Sequence, residues 1–444
     1  MNEGTKAMIS RFISAATLVF AISISGPTSA ADIAIVHAGK LLALPGEPVL
    51  NDQTIIIRNG VVESVTPGFA DVDTIATQEG DTVTTHDLKD MFVLPGLIDG
   101  HVHITSENNP KGRLQRVEMS EADQAIAGAG FAKKTLKAGF TTVRDVGAGS
   151  SDAIFALRDG IARGDVVGPR IYASGSIISV TGGHGDGTQG YRDDVAELLH
   201  STGVCDGVGE CRQAVREQVR RGADHIKLTA TAGVLSNTAA GLEQQFFEDE
   251  LEAIMDSAHA MGRRVTAHAH GVQGINAALK AGVDSIEHGT YLDNESIRLF
   301  KRNGAYLVPT LLAGATVVEW AEDPDTFLLP PQRAKALKVG PQMHDMATRA
   351  INGGVKISFG TDSGVSRHGD NAKEFALLVA AGMTPMQAIR SATVVGSENL
   401  GQQDLLGSIE PGKLGDLIAV DGNPLTDITE LEDVDFVMKE GVAY

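Results

Sequence analysis

The stretch Pro95-Gly-Leu-Ile-Asp-Gly-His-Val-His103 decides how the rest of the chain is read. It has the apolar texture of a buried strand, opened by a Pro-Gly turn and closed by two histidines. Residues two apart on a strand share a side, so His101 and His103 project together while Val102 and Ile104 face the other way. Two imidazoles at a strand end can chelate one metal ion. The pair alone is ambiguous, because hydrogen-bonded core histidines give the same pattern.

Lys227 changes the balance. In His225-Ile-Lys-Leu-Thr229 the apolar Ile226 and Leu228 suit packing against helices, which turns Lys227 inward. An unpaired ammonium is costly to bury there. An inward salt bridge or an exposed lysine would account for it. So would a lysine that has taken up carbon dioxide as a carbamate, whose two oxygens can bridge two cations. Val265-Thr-Ala-His-Ala-His-Gly271 repeats the first arrangement with His268 and His270. Ser285-Ile-Glu-His-Gly289 carries His288, and Phe359-Gly-Thr-Asp-Ser-Gly364 carries Asp362. Singly, each fits a satisfied buried polar residue. Together they fall at the C-terminal ends of strands one, four, five, six and eight, the barrel face where active sites are built.

The strand count supports that placement. Between about 95 and 405, short apolar runs alternate with amphipathic stretches. Expected strands are Leu97–Ile104, Thr141–Val146, Arg170–Ala173, His225–Thr229, Arg264–His270, Ser285–His288, Tyr306–Pro309 and Lys356–Gly360. Helical segments such as Cys211–Arg221, Glu250–Met261 and Val272–Ala281 lie between them. Eight strands in βα alternation predict an α/β fold, a (β/α)8 TIM barrel over residues 95–405. The flanks read differently. Gln53-Thr-Ile-Ile-Ile-Arg58 and Val61-Val-Glu-Ser-Val65 are β-type runs around Asn59-Gly60, a hairpin signal. Asp416-Leu-Ile-Ala-Val-Asp421 and Phe436-Val-Met438 repeat that texture in the tail. Residues 32–94 and 406–444 are therefore expected to build one small β-sandwich domain from both chain ends.

Composition narrows the partners. Acidic residues number 57 against 37 basic, a formal charge of −20. Nucleic acid and anionic membrane need a basic surface and are disfavoured. Residues 1–31 have the form of a secretory signal: Lys6 and Arg11, an apolar run from Phe12 to Ile24, then Thr28-Ser-Ala-Ala31 as small residues for cleavage. The run is shorter than the ~20 residues a spanning helix needs. An exported, periplasmic protein without a membrane span is expected. Cys205 and Cys211 are the only cysteines. In an oxidising compartment they can close a short disulfide loop, and two unpaired thiols fit equally well.

The order His-x-His, lysine, histidine, histidine, aspartate resembles the binuclear amidohydrolase superfamily, over essentially the whole mature chain. The resemblance implies two divalent metals, zinc by default for such ligands. His101, His103 and Asp362 would hold the more buried ion and His268 and His288 the other, with carboxylated Lys227 bridging. Its spacing pattern selects His268 as the ligand of the fifth-strand pair and leaves His270 to face the substrate. Asp362 would be the general base and acid, with His270 assisting. Relatives of this kind commonly oligomerise, so a homo-oligomer is expected.

Thr181-Gly-Gly-His-Gly-Asp-Gly187, Thr231-Ala-Gly-Val-Leu-Ser236 and Ala267-His-Ala-His-Gly271 look like the prolidase-like metallocarboxypeptidase branch. Those enzymes cleave the last residue from dipeptides or N-acyl amino acids, and ochratoxin amidases are their neighbours. Ala232-Gly233 stands where the family usually shows two glycines. A small amide or peptide substrate with a free carboxylate needs donors beside the metals. His184, Tyr191, His270 and Arg367 are the candidates, although His184, Tyr191 and Arg367 also fit ordinary structural or surface roles. Two other readings compete: a cyclic-amide hydrolase like imidazolonepropionase, or a barrel that binds ligands without catalysis. Deaminases of this fold generally lack the fourth-strand lysine, so Lys227 argues against them.

Overall fold

The computed structural model describes residues 30–149, 151–237 and 241–444. The expected signal segment falls almost wholly on residues 1–29, outside the described residues. Among the described residues no helix is long and apolar enough to cross a membrane.

Eight parallel strands make up the centre of the chain. Leu97–Val102, Phe140–Asp145 and Arg170–Ala173 form one sheet in that order. Ile226–Thr229, Val265–Ala269, Ser285–His288, Tyr306–Val308 and Lys356–Ile357 form a second, also in chain order. All eight coincide with the expected runs. The last is shorter than expected because the chain beyond it changes partners: Phe359 donates to the Ser391 carbonyl at 3.0 Å and accepts from Gly100 at 3.0 Å. Parallel strands covered by helices on one face and filled by side chains on the other are buried throughout. The first two and the middle strands here show that pattern.

Backbone hydrogen bonds join the two sheets on both sides. Asp362 donates to the His101 carbonyl at 2.8 Å, and His103 to that of Ser363 at 2.7 Å. On the other side Ile178 donates to the Lys227 carbonyl at 2.8 Å, and Thr229 to that of Ile178 at 3.0 Å. The buried Asp99 carboxylate fastens the first junction by accepting from the amides of His101 and Thr361 and from Asn371. The helices follow from their apolar spacing. Val272–Ala281 buries Ile275, Ala278 and Leu279, leaves Lys280 outside, and stops at Gly282, whose φ of 96° closes the helix.

The chain ends share a seven-stranded sheet. Asp32–Leu41 pairs in parallel with Thr82–Pro95 and antiparallel with Leu50–Arg58, which continues into Val61–Pro67. The turn between the last two puts Asn59 and Gly60 at φ 50° and 81°, the left-handed pair a two-residue hairpin requires. Strand pairing joins the two ends into one continuous sheet, and residues from both halves of it share one apolar cluster. Thr82–Pro95 is long enough to pair with Asp32–Leu41 on one side and with Leu417–Val420 on the other, so one sheet runs through both ends. Arg170 ties it to the parallel strands by donating to Asp416 at 2.8 Å.

Cys205 and Cys211 are disulfide-bonded, with Cα atoms 5.0 Å apart. Cys205 also donates to the Ser179 carbonyl at 2.9 Å, which holds the start of the His184 loop. Between the cysteines, Asp206 accepts from Thr181 through its amide at 3.1 Å and its hydroxyl at 2.7 Å.

Candidate metal centre

Strand alternation brings the expected ligands to one end of the parallel strands. His101, His103 and Asp362 place one ligand atom each within 4.8 Å of one another, and His268, His270 and His288 do the same. The His101 and His288 rings are 5.2 Å apart, so the two groups adjoin. Lys227 is only 3% exposed. Three of the strands reach this geometry through strained backbone. His288, Thr310 and Asp362 have φ of 69°, 52° and 57°, a region costly for residues other than glycine and found most often at functional sites.

Hydrogen bonds fix which ring nitrogens are free. His103 Nδ1 lies 2.6 Å from the Gly147 carbonyl, which can only accept, so Nδ1 carries the proton. His101 Nδ1 donates to Glu287 at 2.6 Å. Thr310 spends its own hydroxyl hydrogen on the Pro309 carbonyl, so its oxygen accepts from His288 Nδ1 at 2.7 Å. Each of these rings therefore turns an Nε2 lone pair into the site, the tautomer a metal ligand needs. Asp362 Oδ1 faces Nε2 of His101 and His103 at 3.4 and 3.3 Å, yet no hydrogen bond satisfies it. His268 Nε2 is likewise buried without a partner. Buried acceptors pointed at one another call for a cation between them. The donor set, imidazoles with one carboxylate and an adjacent lysine, fits divalent metal.

The electrostatics agree. Burial pushes the imidazolium forms of His268 and His288 far down, and pulls His270 to about 3. Burial alone would raise Asp362, but His101 and His103 hold its carboxyl well below the usual range. Burial lowers the Lys227 ammonium to about 8, against the attraction of Glu287 and Asp362. His103 runs the other way: burial opposes its charge, and the Asp362 and Asp145 carboxylates outweigh it.

Of the expected substrate residues, the structure brings His184 and His270 to the centre and not the others. The His184 ring lies 4.2 Å from that of His268, and His270 4.7 Å from it. His184 is clamped by Ser236 Oγ at Nδ1, 2.7 Å, and by the Gln245 side chain at its amide, 3.0 Å. Tyr191 instead donates its hydroxyl to the Arg113 carbonyl at 2.9 Å, with the Arg113 guanidinium over its ring. Arg367 is exposed.

Three further residues at the site follow from no local sequence pattern. Glu287 is fully buried, receives Arg144 at 3.0 Å, and orients His101. Its neighbour His288 also faces the site only because the left-handed backbone at His288 breaks strand alternation. Tyr291, just beyond, has a buried hydroxyl with no partner. Lys335, from the helix Pro330–Asn352, donates to the carbonyls of Gly233 and Ser236 at 2.8 and 2.9 Å.

Comparison with known proteins identifies the family of the chain. The model of the amidohydrolase family matches residues 92–443. The ochratoxinase of Aspergillus niger is 33% identical over 422 residues, covering 90% of this chain and 84% of that one. A solved Xaa-Pro dipeptidase with methionine bound in its active site is 42% identical, with a TM-score of 0.86, covering 93% of this chain and 99% of that one. A solved prolidase complexed with N-methylphosphonate-L-proline is 32% identical, with a TM-score of 0.82 and the same two coverages.

Proposed function

Because this chain belongs to the amidohydrolase family and is a hydrolase of amide or peptide carbon–nitrogen bonds, we propose that it releases the C-terminal residue from dipeptides or N-acyl amino acids. The observation that carries this reading is the pairing of a buried metal-type donor set with neutral, clamped donors, His184 and His270, on one side of it. We take residues 95–405 as a closed (β/α)8 barrel, supported by the hydrogen bonds at both junctions of the two sheets, with 32–94 and 406–444 as its companion domain. The signal-like first 31 residues support export to the periplasm.

His101, His103 and Asp362 would hold one divalent ion, His268 and His288 a second, and Lys227 as its carbamate both; zinc suits these ligands. Bound there, the ions supply the Lewis acidity that makes water nucleophilic near neutral pH and polarises a carbonyl. Asp362 is placed to accept the proton of the attacking water, because its carboxylate is held ionised and Oδ1 is unpaired. It then returns the proton to the departing amine. His270 would serve the oxyanion in the tautomer whose Nδ1 accepts from the Thr290 hydroxyl at 2.8 Å, which leaves an Nε2–H to donate. His184 and the free Tyr291 hydroxyl face the departing residue's carboxylate.

The position of His184 depends on Gly233: a Cβ there would meet its ring atoms at 2.3 to 2.5 Å. Overpacking of this kind costs about 1–3 kcal/mol. Gly233→Ala should lower kcat/KM at least about tenfold. Metal content should stay at the wild-type level, since no ligand moves. Unchanged kcat/KM would remove His184 from substrate binding.

The test of the function is a panel of dipeptides and N-acyl amino acids, assayed with zinc and bicarbonate present. Release of amino acid from free-acid substrates is expected, with L-methionine a product worth including given the bound ligand of the 42%-identical dipeptidase. The similarity to ochratoxinase favours a second reading, an amidase of ochratoxin-type amides. Turnover of ochratoxin with none of the dipeptides would select it.

A further inference from the structure

We propose that Lys335 supplies the positive charge that receives the free carboxylate of the departing amino acid, an assignment that rests on the carboxypeptidase reading above. Its ammonium is half-buried, and two of its three hydrogens are committed to the Gly233 and Ser236 carbonyls. Among the described residues no carboxylate lies within ion-pair distance of it. A desolvated cation without a counter-charge is unusual in a chain of net charge −20. Burial accordingly draws it down to about 8.

Its surroundings are donors in search of an acceptor. The two carbonyls that hold it belong to the segment whose Ser236 clamps His184. Its charge reaches both His184 and His270, where it adds to burial in keeping those rings neutral. Tyr291, whose buried hydroxyl has no partner, packs on the apolar cluster that includes Val234 and Ala336, the chain neighbours of Gly233 and Lys335. An ammonium, a phenol and two neutral imidazoles beside the metal-type cluster match one chemical class, a carboxylate. The remaining ammonium hydrogen is the charge-assisted donor that an amide or ester at the same position could not use as well.

Isothermal titration of the metal-loaded full chain with L-methionine and with L-methioninamide reads this charge directly. The wild type is expected to bind L-methionine roughly ten- to a hundredfold tighter, the range of one charge-assisted hydrogen bond. Lys335→Met should erase that preference, and Lys335→Arg, which keeps a cation, should retain most of it. A wild type that binds both ligands alike overturns the carboxypeptidase reading itself. A preference present in the wild type and unchanged in Lys335→Met overturns the Lys335 assignment alone. Equal loss of both ligands in Lys335→Met would mark the residue as a strut for the 233–236 segment and also overturn it.

Discussion

Lys227→Ala is expected to lose metal and activity together. Metal per chain should drop from about two, and kcat should fall below about one-thousandth of the wild-type value. Burial is the cause. An ammonium at 3% exposure has no access to solvent that could stabilise its charge, and burial brings it to about 8. Near that pH about half of such amines are neutral and able to add carbon dioxide, whereas an ordinary lysine is almost wholly protonated. A carbamate on Lys227, as proposed, would convert an unfavourable buried cation into an anion beside four histidines. Removal of a partner that merely orients a ligand already costs 10- to 100-fold in affinity or activity. Removal of a bridging ligand should cost more. Metal analysis and turnover, with and without added acetate or propionate, make the check. A small carboxylate entering the vacated space should restore part of both. Wild-type metal content and rate in Lys227→Ala would show that the lysine serves the core and not the centre.

Strand alternation was enough to turn His101, His103, Lys227 and His268 inward, because a two-residue period needs no knowledge of neighbours. The eight strands and the Asn59-Gly60 hairpin were legible for the same reason: they are local patterns. What failed to show was of two kinds. Glu287 and His288 are adjacent, and alternation allows only one of them to face inward; the φ of 69° at His288 brings in both, and no spacing rule announces it. Tyr291, Lys335 and the Arg144–Glu287 pair depend on contacts between segments far apart in the chain. Tyr191 illustrates the converse. Its loop position suggested a substrate contact, but a carbonyl 78 residues away takes its hydroxyl. The single sheet built from both ends was hidden likewise, since strand length in Thr82–Pro95 decides whether two pairings share one strand.

Asp362→Asn separates chemistry from assembly. The amide keeps the size and one oxygen of the carboxylate but can neither hold a full negative charge nor take up a proton. If Asp362 moves the proton from water to the departing amine, kcat should fall about 10²- to 10⁴-fold, the usual worth of general acid–base catalysis. KM for an N-acyl amino acid should change by no more than a few-fold, because the donors assigned to the carboxylate, His184, Tyr291 and Lys335, lie on other loops and a helix. Metal retention is the necessary control, since Oδ1 also faces His101 and His103 at 3.4 and 3.3 Å. The strained φ of 57° at this position disfavours few residues less than asparagine, so the backbone should tolerate the change. A fall in kcat that merely tracks metal loss, and recovers when metal is added in excess, would leave Asp362 as a ligand without a proton-transfer role. A low kcat at full metal occupancy, with KM preserved, is what a group acting on the transition state produces.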